Sequence, residues 1–214
     1  MIHMAPLPMF PLESVLLPGE TLPLRIFEPR YRELVSDALA GDRRFGVVLI
    51  AAGREVGGGE RRCEVGALAT ITEHRRLGFG QHALVCAVGE RLRVVRWLDD
   101  DPYPRAETRP WPDEPDEPGE AVGDSEIRVL EDRLLALYQR VSTRRRLALP
   151  ARDALFGPPG EPAGERLYNL AARIPIGPAD RYAVLAAPSV AARLAAVDDA
   201  IDTVAARVAF QLAE

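Results

Sequence analysis

A chain of 214 residues, 47% apolar and 28% charged, is long enough for one large folded domain or two small ones with real cores. Behind its net charge of −5 lies a sharper fact: all 27 basic residues are arginine. Without lysine these residues supply no Walker-type phosphate lysine, no serine–lysine dyad and no Schiff base. No stretch approaches the length of an apolar membrane span, and the N-terminal MIHMAPLPMF has no basic region ahead of an apolar core, so a cytoplasmic protein without a membrane partner is expected. Two cysteines, Cys63 and Cys86, are too few for a disulfide framework or a four-cysteine zinc site.

In chain order, Leu7 to Leu12 is a proline-broken apolar run that suits an edge strand. After a turn at Leu17-Pro18-Gly19-Glu20, Leu22, Leu24 and Ile26 alternate with Pro23, Arg25 and Phe27, which predicts a half-buried strand. Glu28 precedes a proline and is pushed toward extended backbone, and Pro29 suits the first position of a helix. Tyr31, Leu34, Val35, Ala38 and Leu39 then recur at helical spacing, with Gly41 as the stop. Phe45 to Ala51 (FGVVLIA) reads as a strand buried on both faces, and Gly57-Gly58-Gly59 as a mobile hairpin tip. Cys63 to Glu73 alternates as a strand. His82 to Val88 and Leu92 to Trp97 read as two strands joined by a type II′ turn at Gly89-Glu90, and Tyr103 to Trp111 as a last strand. Short strands at such spacing predict a compact barrel-like β-domain over residues 1–111 carrying a single helix.

Residues 112–123, rich in proline and carboxylates, read as a semi-extended linker. Beyond it the period becomes helical. Ile127, Leu130, Leu134, Leu137 and Val141 mark one long helix from Asp124, with Arg144 to Arg146 in its last turn and Pro150 beyond. After a breaker at 157–164, Glu165 to Ile174, Pro178 to Ala186 and a helix capped by Ser189 complete a helical bundle over 124–214. The first 111 residues hold 15 arginines and 15 acidic residues; the remainder holds 12 and 17.

The stretch PLRIFEPRYRELV (residues 23–35) resembles the signature of the Lon protease N-terminal, substrate-binding domain family. The similarity continues through RRFGVVLI, EVGALATI, VGERLRVVRW and PYPRAE, and beyond the linker through LYNLAARIPIGPADRYAVLAAPSVAARL. It implies an α+β fold: a PUA-like β pseudo-barrel with one inserted helix, followed by a C-terminal α-helical bundle. It also implies a stand-alone Lon-domain protein without ATPase or protease modules. Arg25 stands where the family often has histidine.

Nothing in the residues marks an enzyme. None of the five serines lies in a G-x-S-x-G elbow; Cys63 has no obvious histidine partner beyond its flanking Arg61 and Arg62, and Cys86 reads as a core residue. His3, His74 and His82 are isolated in sequence, and Asp99 to Asp101 lack cation-loop spacing, so no catalytic residue, cofactor or metal is expected. Glu28, Pro29, Arg30 and Tyr31 read as an architectural corner, with Glu28 and Arg30 sharing a charged hydrogen bond above Tyr31. By analogy with Lon proteases the expected partners are protein or peptide segments, bound on apolar surface supplied by Phe27, Phe79, Trp97, Tyr103 and Trp111. RNA binding, through the arginine pairs at 43–44, 61–62 and 75–76, is the alternative; the neutral β-domain and scarce aromatics argue against nucleic acid. A cryptic hydrolase comes third, and a monomer or weak homodimer is expected.

Overall fold

The structure is a computed structural model that describes residues 6–52, 61–117, 119–156 and 160–213. The glycine run at 57–59 and His3 lie outside the described residues. The chain divides into two compact units, Met1–Pro112 and Asp113–Glu214.

The first unit comprises β1 (Leu7–Leu12), β2 (Thr21–Ile26), α1 (Pro29–Ala40), β3 (Arg44–Ala52), β4 (Arg61–Arg76), β5 (His82–Leu98) and β6 (Arg105–Pro110). β1 runs parallel to β3 and antiparallel to β6. Antiparallel pairs β3–β4, β4–β5 and β5–β6 close the ring, and β2 is added alongside the first half of β5. This is a mixed six-stranded pseudo-barrel with one inserted helix. The apolar run in β3 has its explanation here. Phe45 and Val47 enter one cluster with Phe10, Ile71, Cys86 and the α1 residues Tyr31, Leu34 and Val35; Val48 enters another with Met9, Leu92, Val94 and Ala106. Both faces of the sheet are covered, so the strand has no polar side to show.

Two local expectations are corrected. β1 is an interior strand and not an edge. Its prolines fit because Met9 donates to the Pro104 carbonyl on the β6 side, so Pro11 turns its nitrogen to that side too, beyond the paired residues Leu7 and Pro8. Pro8 turns its nitrogen toward β3, whose register starts only at Met9. Second, β5 is one continuous strand. From Ala67 to Ala69 in β4 the partner moves from Arg91 to Val88, which leaves one extra residue in β5: Gly89-Glu90 forms a bulge and not a turn. Here β5 exchanges its β2 neighbour for β6. Gly41 ends α1 as expected, at φ −104, and the left-handed residue comes two positions later at Arg43 (φ 64), whose N–H donates to the Ala38 carbonyl at 2.9 Å.

The second unit contains α2 (Asp124–Arg145), α3 (Arg152–Phe156), α4 (Ala163–Arg173), α5 (Pro178–Leu185) and α6 (Val190–Ala213). At the start of α2, Glu126 accepts the Gly123 N–H at 3.0 Å; Ser189 caps α6 by accepting the Ala192 N–H at 3.2 Å. α3, five residues long between proline-rich stretches, has too little periodicity to announce itself. The stretch 112–123 is fastened over its first half to this unit. Glu114 donates to the Pro188 carbonyl, Asp116 accepts the Ala191 N–H at 2.9 Å, and Asp113 pairs with Arg193. The Asp116 carboxylate thus satisfies one free N–H at the start of α6, which composition alone does not reveal.

Candidate functional site

The corner where β2 becomes α1 is built from both chain geometry and charge. Glu28 is extended (φ −68, ψ 136), and its carbonyl accepts the N–H groups of Tyr31 and Arg32 at 3.2 and 3.1 Å. The Arg30 Nε donates to the Glu28 carboxylate at 3.1 Å, and the Arg30 guanidinium lies 4.5 Å above the Tyr31 ring. Tyr31 in turn stacks on Phe10 with ring centres 4.2 Å apart. The corner is thereby tied to β1 through the core.

The five aromatic side chains singled out from the sequence separate into three environments. Phe79 is 95% exposed and Phe27 52%. Trp97 is half-buried against the second apolar cluster, and Arg62, held by Asp100 at 2.8 and 3.1 Å, covers its ring at 4.9 Å. Tyr103 and Trp111 are buried, which takes them out of an exposed apolar surface. The Tyr103 hydroxyl donates to Asp37 at 2.6 Å, and burial together with this bond pushes its pKa up to about 12. Trp111 lies beneath Arg91 and Arg93, 4.5 and 5.2 Å from its ring. Alternation of apolar and polar residues near strand ends does not distinguish an exposed ring from one roofed by an arginine.

Phe27 and Phe79 share one end of the barrel. The last register row of the sheet there is Ile26–His82–Arg76; Phe27 follows β2, and Phe79 sits in the loop joining β4 to β5. Arg32 bridges the two. It donates to the Phe27 carbonyl at 2.8 Å, and a Cβ on Gly80 would stand 3.1 Å from its guanidinium. Phe79 itself is held at φ 60, between Gly78 and Gly80.

Between this loop and the second half of α1 lies a cleft of about 580 Å³ lined by Ser36, Leu39, Ala40, Arg76, Gln81 and His82 among others. The β4–β5 hairpin brings together two histidines that are isolated in the sequence: His74 Nε2 lies 2.8 Å from His82 Nδ1, with the rings stacked. Only the hairpin register carries that signal. Burial, and then the charges of His74, Arg76 and Arg32, hold the His82 pKa below its ordinary value. Ser36 and His82 share the cleft with no hydrogen bond between them, so the nucleophile–base contact of covalent catalysis is not made.

Elsewhere, burial pushes the Cys86 thiol up to about 11, which keeps it protonated at neutral pH. Cys63 is half-buried. Among the described residues, no three His, Cys, Asp or Glu side chains are placed to hold a metal ion, and no helix is long and apolar enough to cross a membrane.

Comparison with known proteins finds relatives of the chain by sequence and by fold. The family model described as the ATP-dependent protease La (LON) substrate-binding domain matches residues 6–203. A Lon protease of Syntrophus aciditrophicus is 30% identical over 140 residues, 63% of this chain and 17% of that protein. Lon protease 2 of Myxococcus xanthus is 33% identical over 102 residues, 47% of this chain and 12% of that protein. The chain thus spans under a fifth of the length of these curated relatives. Among solved structures, the Lon N-terminal domain protein from Xanthomonas campestris superposes with a TM-score of 0.60 at 28% identity, covering 90% of this chain and 96% of that one. The N-terminal domain of Mycobacterium avium complex Lon protease gives 0.60 at 17% identity over 92% and 98%, a likeness of fold.

Proposed function

The chain belongs to the Lon substrate-binding domain family, and on that footing we propose that it recognises segments of other proteins without performing chemistry on them, as a substrate-recognition or adaptor module. The observation that carries this reading is the pair of exposed phenylalanines at one end of the barrel, Phe79 at 95% and Phe27 at 52% exposure. A large apolar ring displayed on a loop, in a backbone conformation that disfavours side chains, contributes nothing to the core and is suited to insertion into a partner. The adjoining cleft offers apolar Leu39 and Leu77 beside Arg76 and Gln81, which suits a short stretch of mixed side chains.

Nucleic acid is disfavoured as the ligand by the way the barrel's arginines are spent. Arg44, Arg62, Arg96 and Arg105 each sit beside a carboxylate, which breaks up the continuous positive face that phosphate binding needs.

The test is an array of synthetic ten-residue peptides tiled over proteins that unfold readily, probed with the wild-type chain and with a Phe27→Ser/Phe79→Ser double variant. Binding to a subset of peptides, weakened about tenfold or more in the double variant with its melting temperature unchanged, is the expected result. Peptide signals no higher than those of an unrelated acidic protein would sink the reading.

A further inference from the structure

β2 leaves one edge of the sheet open, and the polar atoms on it can be identified. Val88 exchanges backbone hydrogen bonds with Gly19 and Glu20, so Val88 faces the β2 side of β5. Strand alternation then turns Cys86, Leu84 and His82 to the same side, against Leu22, Leu24 and Ile26. The carbonyl of Val85 agrees, since it is taken from the β4 side by the Thr72 hydroxyl at 2.9 Å. Thr21, Pro23 and Arg25 therefore point their backbone away from the sheet. They present two N–H groups and three carbonyls at a spacing of about 6.6 Å, the repeat of an extended chain, and no backbone partner meets them among the described residues.

We propose that a partner segment docks here by adding as an extended strand beside β2, with an acidic side chain across from Arg25. This rests on the protein-segment reading above and names its mode. Main-chain hydrogen bonds make such recognition tolerant of sequence, as capture of varied unfolded segments requires. Two observations choose the occupant. Pro23, at the middle of the edge, disfavours a second copy of β2: antiparallel self-pairing centred there would oppose two prolines and forfeit both N–H donors, whereas a foreign strand still finds the Pro23 carbonyl. The exposed row Arg25–Ala83–Arg75 carries two guanidinium groups with no carboxylate partner among the described residues; Arg25 donates only to Gln81. A carboxylate on the added strand would complete a cross-strand pair. The added strand also passes Phe27, which directly follows β2.

The experiment takes the tightest-binding ten-residue peptide of the array and N-methylates each of its amides in turn. The proposal expects affinity to fall about tenfold at every second position only. Amide-resolved hydrogen exchange of the full chain should show Thr21 and Arg25 slowed about tenfold by the peptide, with Leu22 and Leu24 unchanged. Arg25→Gln should weaken the peptide several-fold and abolish its preference for Glu over Gln at one position. A flat N-methyl scan with undiminished binding, or unchanged exchange at Thr21 and Arg25, overturns strand addition and leaves the protein-segment reading standing. Protection of the edge that rises with protein concentration alone assigns it to a second copy. Binding of single-stranded RNA at this edge in place of peptide overturns it as well. An array with no binder overturns both.

Discussion

The two units differ in how much charge they bury: among the described residues the barrel unit buries one charged side chain, Arg91 over Trp111, and the helical unit buries Arg166, Arg193 and Glu131. The clusters of the barrel unit are apolar on both faces of the sheet, and its chain elements approach to backbone contact: a Cβ on the buried Gly66 would stand 2.2 Å from the Val47 carbonyl. The helical unit buries arginine. Arg193 is 0% exposed, lies 4.0 Å over the Tyr168 ring and pairs with Asp113; the buried Arg166 joins Glu131, which also holds Arg152. A sheet satisfies its own backbone strand by strand, so close packing is enough. Short helices separated by proline-rich stretches leave loose termini, and a long arginine can fill space with its stem while its head ties such a stretch down. The two units should therefore fail by different substitutions.

The largest effect is expected from Gly66→Ala. The obstacle is backbone, which cannot swing aside like a side-chain tip, so the variant should lose about 3 kcal/mol or more in denaturant unfolding, or fail to fold. A loss below about 1 kcal/mol would mean that the strands separate easily, and the barrel would not be held as argued.

Next comes the buried pair. Asp113→Asn leaves the Arg193 guanidinium buried opposite a neutral group; because the Asp113 side chain is 31% exposed, the usual cost is discounted to about 2 kcal/mol. The double variant Asp113→Leu/Arg193→Met should recover most of that loss. If it is as unstable as Asp113→Asn alone, the pair is not the fastening of residues 113–117.

A pH titration sharpens the contrast further. The chain's three histidines, His3, His74 and His82, all precede residue 113, so the helical unit has none. Folded His82 has its pKa lowered from 6.5 by burial first and by His74, Arg76 and Arg32 after it. A depressed histidine is neutral in the native state, and the unfolded chain binds the proton more readily. Its stabilising contribution is thus complete above about pH 6.5 and is lost as the pH falls below it toward the folded value. Hydrogen exchange between pH 7 and 5 should show the barrel strands loosening more than α2 and α6, and His82→Gln should remove the difference. If the barrel strands of that variant still loosen as much as those of the wild type, the effect belongs to carboxylates.

Much of this was legible in the sequence because it rests on period. The alternation in β2, the helical spacing after Pro29 and the stripe of the last helix each report a buried face directly. What was not legible depends on partners distant in sequence. Gly89-Glu90 has the composition of a turn, and only the register against β4 makes it a bulge. Tyr103 and Trp111 became buried through Asp37 and two arginines, none of them local in helical or strand period. His74 and His82 met because the hairpin folds about residues 77–81. The open edge of β2 is of the same kind, since which strand lies last in a sheet is a property of the pairing and not of the strand.

The smallest stability effect is expected where the largest functional one is proposed. Phe79 pays for its left-handed backbone, φ 60, without returning any burial, since it is 95% exposed. Glycine adopts that conformation freely, and the entropy it adds to the unfolded chain offsets part of the relief, so Phe79→Gly should leave stability unchanged or raised by at most about 1 kcal/mol. Peptide capture on the array should meanwhile fall, and Phe79→Tyr should retain it. A ring kept for the fold would give the reverse order, with the glycine variant unstable and fully able to bind. The outcome separates the barrel's two kinds of aromatic residue: Tyr103, held by burial and a hydrogen bond, and Phe79, held in the open by a strained turn.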